Sequence, residues 1–256
     1  MIHPSALIDP GARIGTNVSI GPFSIIGPDV EIGDGCEIAA NVHLSGPTRL
    51  GIGNRIGAFC AIGGEPQDKK YAGEPTRLEI GDRNTIREFV TLNRGTTQDA
   101  GVTRIGNDNW IMAYVHVAHD CVVGNHIVFA NAASLAGHVR VDDYAILGGF
   151  TLVHQFCQIG AHAFTAMGAV VNRDVPPFVM VAGTFAEPKG INIEGLRRRG
   201  FSSESIRSIR RGYRTLYKSG LGLAEARTAL ASMAADSTEV RQLLDFIDRS
   251  QRSLVR

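Results

Sequence analysis

The sequence has few cysteines, one tryptophan and no long apolar segment, and these shortages exclude several classes of protein. Its four cysteines show neither the close spacing of a metal or redox motif nor the density of a disulfide-stapled secreted domain. No run approaches the roughly 18 apolar residues of a membrane span. The opening residues, MIHPSALIDPGARIG, lack a basic stretch followed by an apolar one, so we expect no signal peptide and a cytoplasmic protein.

The formal net charge of +1 gives no reason to expect nucleic-acid binding, but the charge is unevenly distributed. Residues 1–191 carry 13 Lys and Arg against 18 Asp and Glu, a net of −5. Residues 192–256 carry 13 against 7, a net of +6. This basic segment is either a solvated helical surface or a face that recruits an acidic partner or a phosphate.

Glycine is abundant, with 30 residues, and it accompanies a strict six-residue repeat. Every sixth residue from Ile2 to Ile62 is isoleucine or leucine, and after interruptions the phase returns at Ile80 and restarts one residue out of step from Ile105 to Val171. A period of six is neither the helical 3.6 nor the strand period of two, but it fits one short strand plus one corner. Three such units close a triangular coil of about 18 residues, so the repeat predicts a parallel β-helix.

Within each unit, the aliphatic residue and the residue four places later should point inward. The cysteines all occupy the second inward position, so we expect buried free thiols at Cys36, Cys60, Cys121 and Cys157. Glycine often follows the aliphatic residue, and we expect it to serve corners that need φ > 0. Residues 64–79 and 94–104 break the period and are predicted loops. We divide the chain into a β-helix at 1–191 and a helical domain at 192–256 that caps its open end.

Six of the eight histidines lie in the second run of the repeat, at outward or corner positions. His119 and Gly137 are one coil apart and should stack about 5 Å from each other. An imidazole beside a backbone N–H suits acyl transfer, because the base removes a hydroxyl proton and the N–H stabilises the oxyanion. Asp120 could orient this base. From spacing alone, ordinary polar corner residues remain the alternative.

The repeat resembles that of the bacterial hexapeptide transferases, which implies a left-handed coil and trimers with active sites between the prisms. The stretches QDKKYAGEPTRLEIGDRNTIRE, HVAHDCVVGN, AGHVRVDDYAILGG and NIEGLRRRGF closely resemble the acyl-ACP–UDP-N-acetylglucosamine O-acyltransferases, and the resemblance covers essentially the whole chain. It implies transfer of an (R)-3-hydroxyacyl group from acyl carrier protein to the 3-hydroxyl of UDP-N-acetylglucosamine, the first step of lipid A biosynthesis. It implies no cofactor and no metal ion.

The resemblance also assigns roles to residues. It implies that His119 is the general base and Gly137 the oxyanion donor. It implies substrate contacts from Asp68, Lys70, Tyr71, His116, His138, His154, Gln155, Asn192, Glu194, Arg198 and Arg199. Met167 replaces a small residue that leaves a deep acyl groove in some members, so we expect a shorter chain of about ten to twelve carbons. Asn93 departs from the histidine that close relatives often have.

Other interpretations remain open at this point. A related N-acyltransferase acts later in the same synthesis but carries an extra N-terminal domain, whereas the repeat here begins at Ile2. A zinc enzyme like the γ-carbonic anhydrases would use His116, His119 and His138 as ligands. A non-enzymatic scaffold would leave the His119–Gly137 pair unexplained. The acceptor could also be an amino-substituted analogue of UDP-N-acetylglucosamine. We interpret the basic tail as a surface for the acidic carrier protein, with Arg210 and Arg211 as candidate contacts.

Overall fold

The computed structural model describes all residues from 1 to 256, and most of its strands are only two residues long. The first thirteen strands are β1 (Leu7–Ile8), β2 (Arg13–Ile14), β3 (Ser19–Ile20), β4 (Ile25–Ile26), β5 (Val30–Ile32), β6 (Glu37–Ile38), β7 (His43–Leu44), β8 (Thr48–Leu50), β9 (Arg55–Ile56), β10 (Ala61–Gly64), β11 (Arg77–Ile80), β12 (Thr85–Ile86) and β13 (Thr91–Asn93). The next seven are β14 (Val102–Ile105), β15 (Trp110–Ile111), β16 (His116–Val117), β17 (Val122–Val123), β18 (Val128–Phe129), β19 (Ser134–Leu135) and β20 (Arg140–Val141). The last seven are β21 (Ile146–Leu147), β22 (Leu152–Val153), β23 (Gln158–Ile159), β24 (Phe164–Thr165), β25 (Val170–Val171), β26 (Val179–Ala182) and β27 (Glu187–Ile191).

The strands form the three faces of a prism, because each strand up to β22 pairs in parallel with the strand three places later in the chain, and β24 pairs with β26. Sheet I has the order β1-β4-β7-β10-β13-β16-β19-β22-β25. Sheet II has the order β2-β5-β8-β11-β14-β17-β20-β23. Sheet III has the order β27-β26-β24-β21-β18-β15-β12-β9-β6-β3, in which only the final β26–β27 pair is antiparallel. The predicted parallel β-helix is therefore confirmed.

The core of the prism is the inward row of the repeat. One cluster of 49 buried residues runs through the coils and contains all four cysteines. Their thiols are free and buried, as predicted, and burial raises the pKa of Cys121 to about 12. A thiol that stays protonated in an apolar core is a packing group rather than a nucleophile.

Most glycines that follow the aliphatic residue are explained by close packing between coils, so the expectation of φ > 0 was wrong for them and correct for Gly63, whose φ is 77°. A Cβ on Gly21 would lie 2.7 Å from the Ala39 carbonyl carbon, and one on Gly33 would lie 2.6 Å from that of Gly51. Neither glycine has a positive φ. Glycine is needed there because the next coil leaves no room for a side chain.

The corner positions that do have a positive φ are filled mainly by aromatic, His, Asn and Asp residues. Phe59, Phe89 and Tyr114 all have φ near 60° and stack with ring centroids 5.1 and 4.9 Å apart. Such a conformation costs about 1–3 kcal/mol for a bulky residue, and each ring stack returns about 0.5–1.5 kcal/mol beyond its buried area. Successive coils therefore stack the corner side chains directly above one another.

Both interruptions of the repeat form loops, but they are shorter than the sequence suggested. The first loop covers residues 65–76, because Gly64 still pairs with Asn93 and β11 begins at Arg77. The second loop covers residues 94–101, because Val102 already pairs with Arg77. The ends of both insertions continue the backbone ladder, which the six-residue pattern does not reveal.

The tail begins with a short helix that the sequence did not predict, α1 (Ile193–Arg198), followed by α2 (Ser203–Tyr217), α3 (Leu223–Met233) and α4 (Thr238–Arg249). Asn192 caps α1, since its side chain accepts a hydrogen bond from the Gly195 N–H. Ile206 and Ile209 of α2 belong to the same buried cluster as the β-helix core, so α2 packs directly against the prism. None of the helices is long and apolar enough to cross a membrane.

Candidate active site

His119 and Asp120 lie on the corner where the chain passes from β16 of sheet I to β17 of sheet II. The next coils bring Gly137 and His138 onto the same corner, followed by Gln155 and Phe156, because the register here repeats every 18 residues. The residues that the spacing predicted to stack are therefore stacked.

The imidazole of His119 lies directly over the Cα of Gly137. A Cβ built on Gly137 would be 2.5 Å from Cε1 and 2.7 Å from Nε2 of His119, so only glycine fits beneath the ring. The Gly137 N–H donates to no other group of the chain. At equivalent places on the corner between sheets II and III, the N–H groups of Asn107 and Asn125 donate to carbonyl or carboxylate side chains. The corner under His119 thus keeps an unused backbone donor beside an imidazole.

Asp120 fixes the tautomer of His119. Nδ1 of His119 is 2.9 Å from Oδ2 of Asp120, and because a carboxylate only accepts, Nδ1 carries the hydrogen. Nε2 is then free to take a proton, which is the state that a general base needs.

The carboxylate of Asp120 is buried and held from three sides. Thr96 of the second loop donates to it through both its N–H and its hydroxyl, the latter at 2.6 Å, and the Asp120 N–H donates to Oγ1 of Thr103. Burial raises the pKa of Asp120, but hydrogen bonds from His119 and Thr96 outweigh it, so the pKa is lowered overall. An ionised Asp120 can stabilise the imidazolium that forms when His119 takes up a proton.

His138 packs between Phe156 and His119. Its ring is stacked on Phe156 at 4.4 Å and stands edge-on to His119 at 5.1 Å. Its Nδ1 donates to Oδ2 of Asp99 in the second loop at 2.9 Å. Nε2 of His138 lies 4.0 Å from Oδ2 of Asp120 and forms no hydrogen bond within the chain, so it can still bind a ligand beside His119.

The other predicted histidines lie on the same side of the prism but make separate contacts. His116 on β16 is hydrogen-bonded through Nδ1 to the Thr91 hydroxyl at 2.7 Å, and burial lowers its pKa. His154 is exposed, with Nδ1 3.2 Å from the carbonyl oxygen of Gln155. Neither contacts His119 through a hydrogen bond, so they border the pair of rings rather than join it.

The first loop is anchored to the second by a buried arginine. Nη2 of Arg94 donates to the Tyr71 hydroxyl at 3.1 Å, and Nη1 donates to the carbonyl oxygens of Gly46 and Gly63. The Asp68 carboxylate accepts from the Lys70 N–H and shapes the tip of the loop. No hydrogen bond joins Asp68 or Lys70 to the histidines.

The tail residues predicted to bind substrate lie elsewhere, over sheet III. They border a cavity of about 600 Å³ whose apolar floor is Ile146, Phe164 and Met180. Its rim contains Asn192, Glu194, Arg198 and Arg199. The guanidinium of Arg199 sits 4.8 Å above the Tyr144 ring, a cation–π contact that fixes its direction.

Two of these tail side chains already have partners within the chain. The Asn192 amide donates to the His162 carbonyl oxygen at 3.0 Å while its Oδ1 caps α1. Glu194 forms an exposed ion pair with Arg197. Arg198 and Arg199 have no carboxylate partner and remain the free cations of the cavity.

Within one chain, the histidine corner and the tail cavity face in different directions. The histidines occupy the corner between sheets I and II, and the cavity lies on sheet III, which is the opposite face of a triangular prism. Met167, the residue predicted to limit the length of the acyl chain, lies at a third location, the corner between sheets III and I. Its side chain is 80% exposed. One chain does not bring the predicted residues into a single pocket.

The ligand atoms of His119, Asp120 and His138 lie within 4.8 Å of one another, a spacing that a metal ion could bridge. This set differs from the zinc set that the sequence suggested, because His116 is replaced by Asp120. The Asp120 oxygens already accept hydrogen bonds from Thr96 and His119, so the cluster is satisfied as a hydrogen-bonded network.

Sequence reasoning missed four residues that support the candidate sites. Thr96 donates to the Asp120 carboxylate, Asp99 accepts from His138, and Thr103 accepts from the Asp120 backbone N–H. Tyr144, a corner residue of the repeat, lies under the guanidinium of Arg199. Its signal in the sequence is an aromatic residue at a corner position of the repeat, which could have identified Tyr144. The six-residue repeat gives no sign that a threonine in a loop contacts Asp120.

The fold and this corner define a transferase of the hexapeptide-repeat class. A family model described as bacterial transferase hexapeptide (six repeats) matches residues 11–46 and 103–137. A second, described as UDP N-acetylglucosamine O-acyltransferase, domain 2, matches residues 174–255 and so begins within the last coils of the β-helix.

Individual proteins narrow the class to one family. The acyl-[acyl-carrier-protein]–UDP-N-acetylglucosamine O-acyltransferase of Halorhodospira halophila is 60% identical and covers 100% of this chain and 99% of its own. That of Stenotrophomonas maltophilia is 58% identical, covering 100% and 97%. The chain belongs to the family of acyl-[acyl-carrier-protein]–UDP-N-acetylglucosamine O-acyltransferases and is an acyltransferase.

Solved structures agree with the fold. The UDP-N-acetylglucosamine acyltransferase of Francisella novicida superposes with a TM-score of 0.98 at 42% identity, covering 100% of this chain and 94% of that one. A structure from Acinetobacter baumannii gives 0.97 at 44% identity, covering 100% and 99%. The predicted left-handed β-helix with a helical C-terminal region is confirmed.

Proposed function

We propose that this chain transfers an (R)-3-hydroxyacyl group from acyl carrier protein to the 3-hydroxyl of UDP-N-acetylglucosamine, the first step of lipid A biosynthesis. Its relatives from Stenotrophomonas maltophilia and Halorhodospira halophila are named for this donor carrier and this acceptor. The observation that carries the mechanism is the His119–Asp120 pair over the unused Gly137 N–H. We also propose that the reaction takes place in the cytoplasm.

In the proposed reaction, Nε2 of His119 takes the proton of the sugar hydroxyl as its oxygen attacks the thioester carbonyl carbon. The carbonyl becomes an oxyanion that accepts a hydrogen bond from the Gly137 N–H. The C–S bond then breaks, and the imidazolium returns its proton to the departing thiolate of the carrier. Asp120 stabilises the imidazolium between the two transfers. No cofactor is needed, because the thioester is already activated.

The cavity over sheet III is our proposed nucleotide site. Its apolar floor suits a planar base, and the two unpaired arginines on its rim suit a diphosphate, which planar guanidinium groups bind bidentately. The stack on Tyr144 would reduce the rotamer freedom that Arg199 loses on binding.

We propose a homotrimer, because it unites these two places. If sheet I of one chain faces sheet III of the next around a threefold axis, each histidine corner meets a neighbour's tail cavity. The corner between sheets III and I then lies near the axis. That corner carries the exposed aromatic ridge Phe23, Phe59, Phe89, Tyr114 and Phe150, each more than 40% exposed in the single chain. A ridge of this kind marks an interface.

Met167 supports a preference for a short acyl chain. It lies on the corner that the trimer would bring to the axis, so a chain laid along sheet I from His119 would run toward its thioether. We expect about ten to twelve carbons, since each methylene beyond the end of a groove is rejected.

The arginines of α2 are our proposed docking surface for the carrier protein. Arg207, Arg210, Arg211 and Arg214 line one cleft of about 420 Å³, and acyl carrier proteins are acidic. The double variant Arg210→Glu, Arg211→Glu should raise the KM for acyl-carrier protein with little change in kcat. An unchanged KM would remove this surface from the proposal.

The decisive experiment incubates the protein with 3-hydroxyacyl-carrier proteins of graded length and either UDP-N-acetylglucosamine or its 3-amino analogue, with products read by mass spectrometry. We expect an O-acylated product with the shorter chains. His119→Ala should lose about 10²–10⁴-fold in kcat, the usual contribution of a general base, whereas His3→Ala on the first coil should not. Full activity in His119→Ala would overturn the mechanism. A preference for long acyl chains would contradict the role that we propose for Met167.

A further inference from the structure

The second loop reaches the candidate active site from outside the repeat. Gly95 lies so close to the corner that a Cβ on it would be 2.7 Å from Oδ1 of Asp120, besides meeting the backbone at Gly101 and Val102. The loop therefore closes tightly against the carboxylate that stands behind the imidazole of His119. Arg94, buried under the first loop, fixes the loop's start.

Two side chains of this loop contact two different groups of the site. Thr96 is buried and gives both of its donors to Asp120, at 2.9 and 3.0 Å from N and 2.6 Å from Oγ1. Asp99 is half exposed and accepts a hydrogen bond from Nδ1 of His138 at 2.9 Å. The loop spans the corner, and neither Nε2 of His119 nor Nε2 of His138 forms a hydrogen bond within the chain, although the latter lies 4.0 Å from Oδ2 of Asp120.

We propose that the second loop is a positioning clamp for the reaction: Thr96 orients Asp120 behind the base, and Asp99 orients His138 toward the sugar nucleotide. The proposal rests on the proposed function of the corner. Neither loop residue touches the reacting atoms, so both act through the group they hold.

The Thr96 contact has a consequence for the reaction's dependence on pH. Oδ2 of Asp120 accepts from the Thr96 hydroxyl and from His119 at the same time, so the two donors share its negative charge. Without the hydroxyl, more of that charge falls on the bond to His119 and favours the imidazolium. The other titratable groups facing this pair are His116 from sheet I, His138 from the next coil and Asp99 from the loop.

The test compares Thr96→Val with Thr96→Ser. Valine keeps the shape and loses the hydroxyl, whereas serine keeps the hydroxyl and loses the methyl group. We expect Thr96→Val to lower kcat about tenfold with an unchanged KM and to move the acid limb of the kcat/KM profile up by about half a pH unit. Thr96→Ser should behave like the parent. If serine is the worse variant, or if valine leaves the pH profile in place, the loop is only packing.

The Asp99 contact is tested separately, on a surface residue whose replacement does not threaten folding. Asp99→Asn should raise the KM for UDP-N-acetylglucosamine about fivefold while kcat stays near the parent value, because His138 loses the anion that orients it. Asp99→Glu keeps the negative charge, so its KM for UDP-N-acetylglucosamine should stay close to that of the parent. Equal KM values in both variants and the parent would overturn this half of the clamp.

Failure of the clamp and failure of the proposed function give different results. If His119→Ala is inactive while Thr96→Val and Asp99→Asn match the parent in kcat, KM and pH profile, only the clamp is wrong. If His119→Ala keeps full activity, the assignment of the base is wrong and the clamp has no group to position.

Discussion

At the scale of single residues, Gly137 shows how closely the site depends on one missing methyl group. A Cβ there would lie 2.5 Å from the His119 ring, so Gly137→Ala must push the base away from the corner. We expect kcat to fall about 10²-fold, since both the base and the oxyanion donor move. Steady-state kinetics on folded protein measures this.

The matched control is Gly11→Ala, on the same corner near the far end of the prism. A Cβ there meets only the Asp9 side chain, at 3.2 Å, and Pro28 beyond it. This variant should keep the parent's kcat. Equal losses in the two variants would mean that alanine disturbs the corner in general rather than the base.

His162 is a second residue whose behaviour follows from its surroundings. It is stacked between Tyr144 and Phe178, its Nδ1 has no partner, and burial together with Arg199 lowers its pKa to about 4. A histidine whose pKa is depressed in the fold stabilises it above about pH 6.5 and loses this contribution as the pH falls toward 4. We expect a loss of about 2 kcal/mol by pH 5.

The variant His162→Phe should remove this acid sensitivity, because phenylalanine fits the same stack and carries no proton. Thermal unfolding at pH 7 and pH 5 measures it: the melting temperature of the parent should drop several degrees more than that of the variant. Parallel declines would show that His162 does not contribute to the acid sensitivity.

Single-residue properties were predictable where the repeat determined them. The six-residue phase placed Cys121 in the core and His119 over Gly137, because the side-chain direction of a coil residue depends only on its position in the unit. The phase could not explain Gly21, since its need for glycine comes from the neighbouring coil. It also could not find Thr96, whose contact with Asp120 depends on a loop that obeys no period.

At the scale of elements, the two loops form one unit through Arg94. Its guanidinium satisfies two backbone carbonyls and the Tyr71 hydroxyl in a buried place. Arg94→Met would leave these groups unpaired, and we expect a loss of about 2–4 kcal/mol in the free energy of unfolding. Faster tryptic cleavage at Lys69 and Lys70 should accompany it.

Arg77→Met is the control for this prediction. Arg77 lies at the start of β11 and pairs with Glu79, but its side chain is about half exposed. An exposed ion pair is worth about 0–1 kcal/mol, so denaturant unfolding should change little. If both variants unfold alike, the buried contacts of Arg94 do not hold the loops together.

Element boundaries were harder to predict than element types. The tail was predicted to be helical, and its main helix α2 begins at Ser203, directly after its N-cap Ser202. The helix α1 was missed because six residues give too short a stripe, and its cap, Asn192, was interpreted only as a binding residue. The loop ends were misplaced because Gly64 and Arg77 continue backbone pairing without contributing to the repeat.

At the scale of the whole molecule, the chain separates the two halves of its chemistry. The base is on the corner between sheets I and II, and the free arginines are on the opposite face. The motifs alone cannot reveal this separation. In the proposed reaction, the histidine corner and the tail cavity both contain residues that bind the same substrate. The site that we propose between neighbouring chains would bring the two groups together.

This arrangement predicts complementation between inactive chains. His119→Ala lacks the base but keeps the arginines, and the double variant Arg198→Ala, Arg199→Ala lacks the arginines but keeps the base. In trimers mixed at random from equal amounts, an intact site needs the right chain on each side of an interface. This occurs at about a quarter of all interfaces but at about one in three interfaces of trimers that contain both variants, so we expect about a third of the parent activity from the mixed trimers.

The control mixes His119→Ala with His138→Ala, which remove groups from the same corner. No interface in that mixture has an intact corner, so activity should stay at the level of the separate variants. Co-expression with two affinity tags and assay of the doubly tagged trimers makes the comparison. No recovery in the His119 and arginine mixture would mean that each chain builds its site alone, and recovery in the control would mean that His119 and His138 of one chain do not act in the same site. Either result would require the packing of sheet I against sheet III to be abandoned.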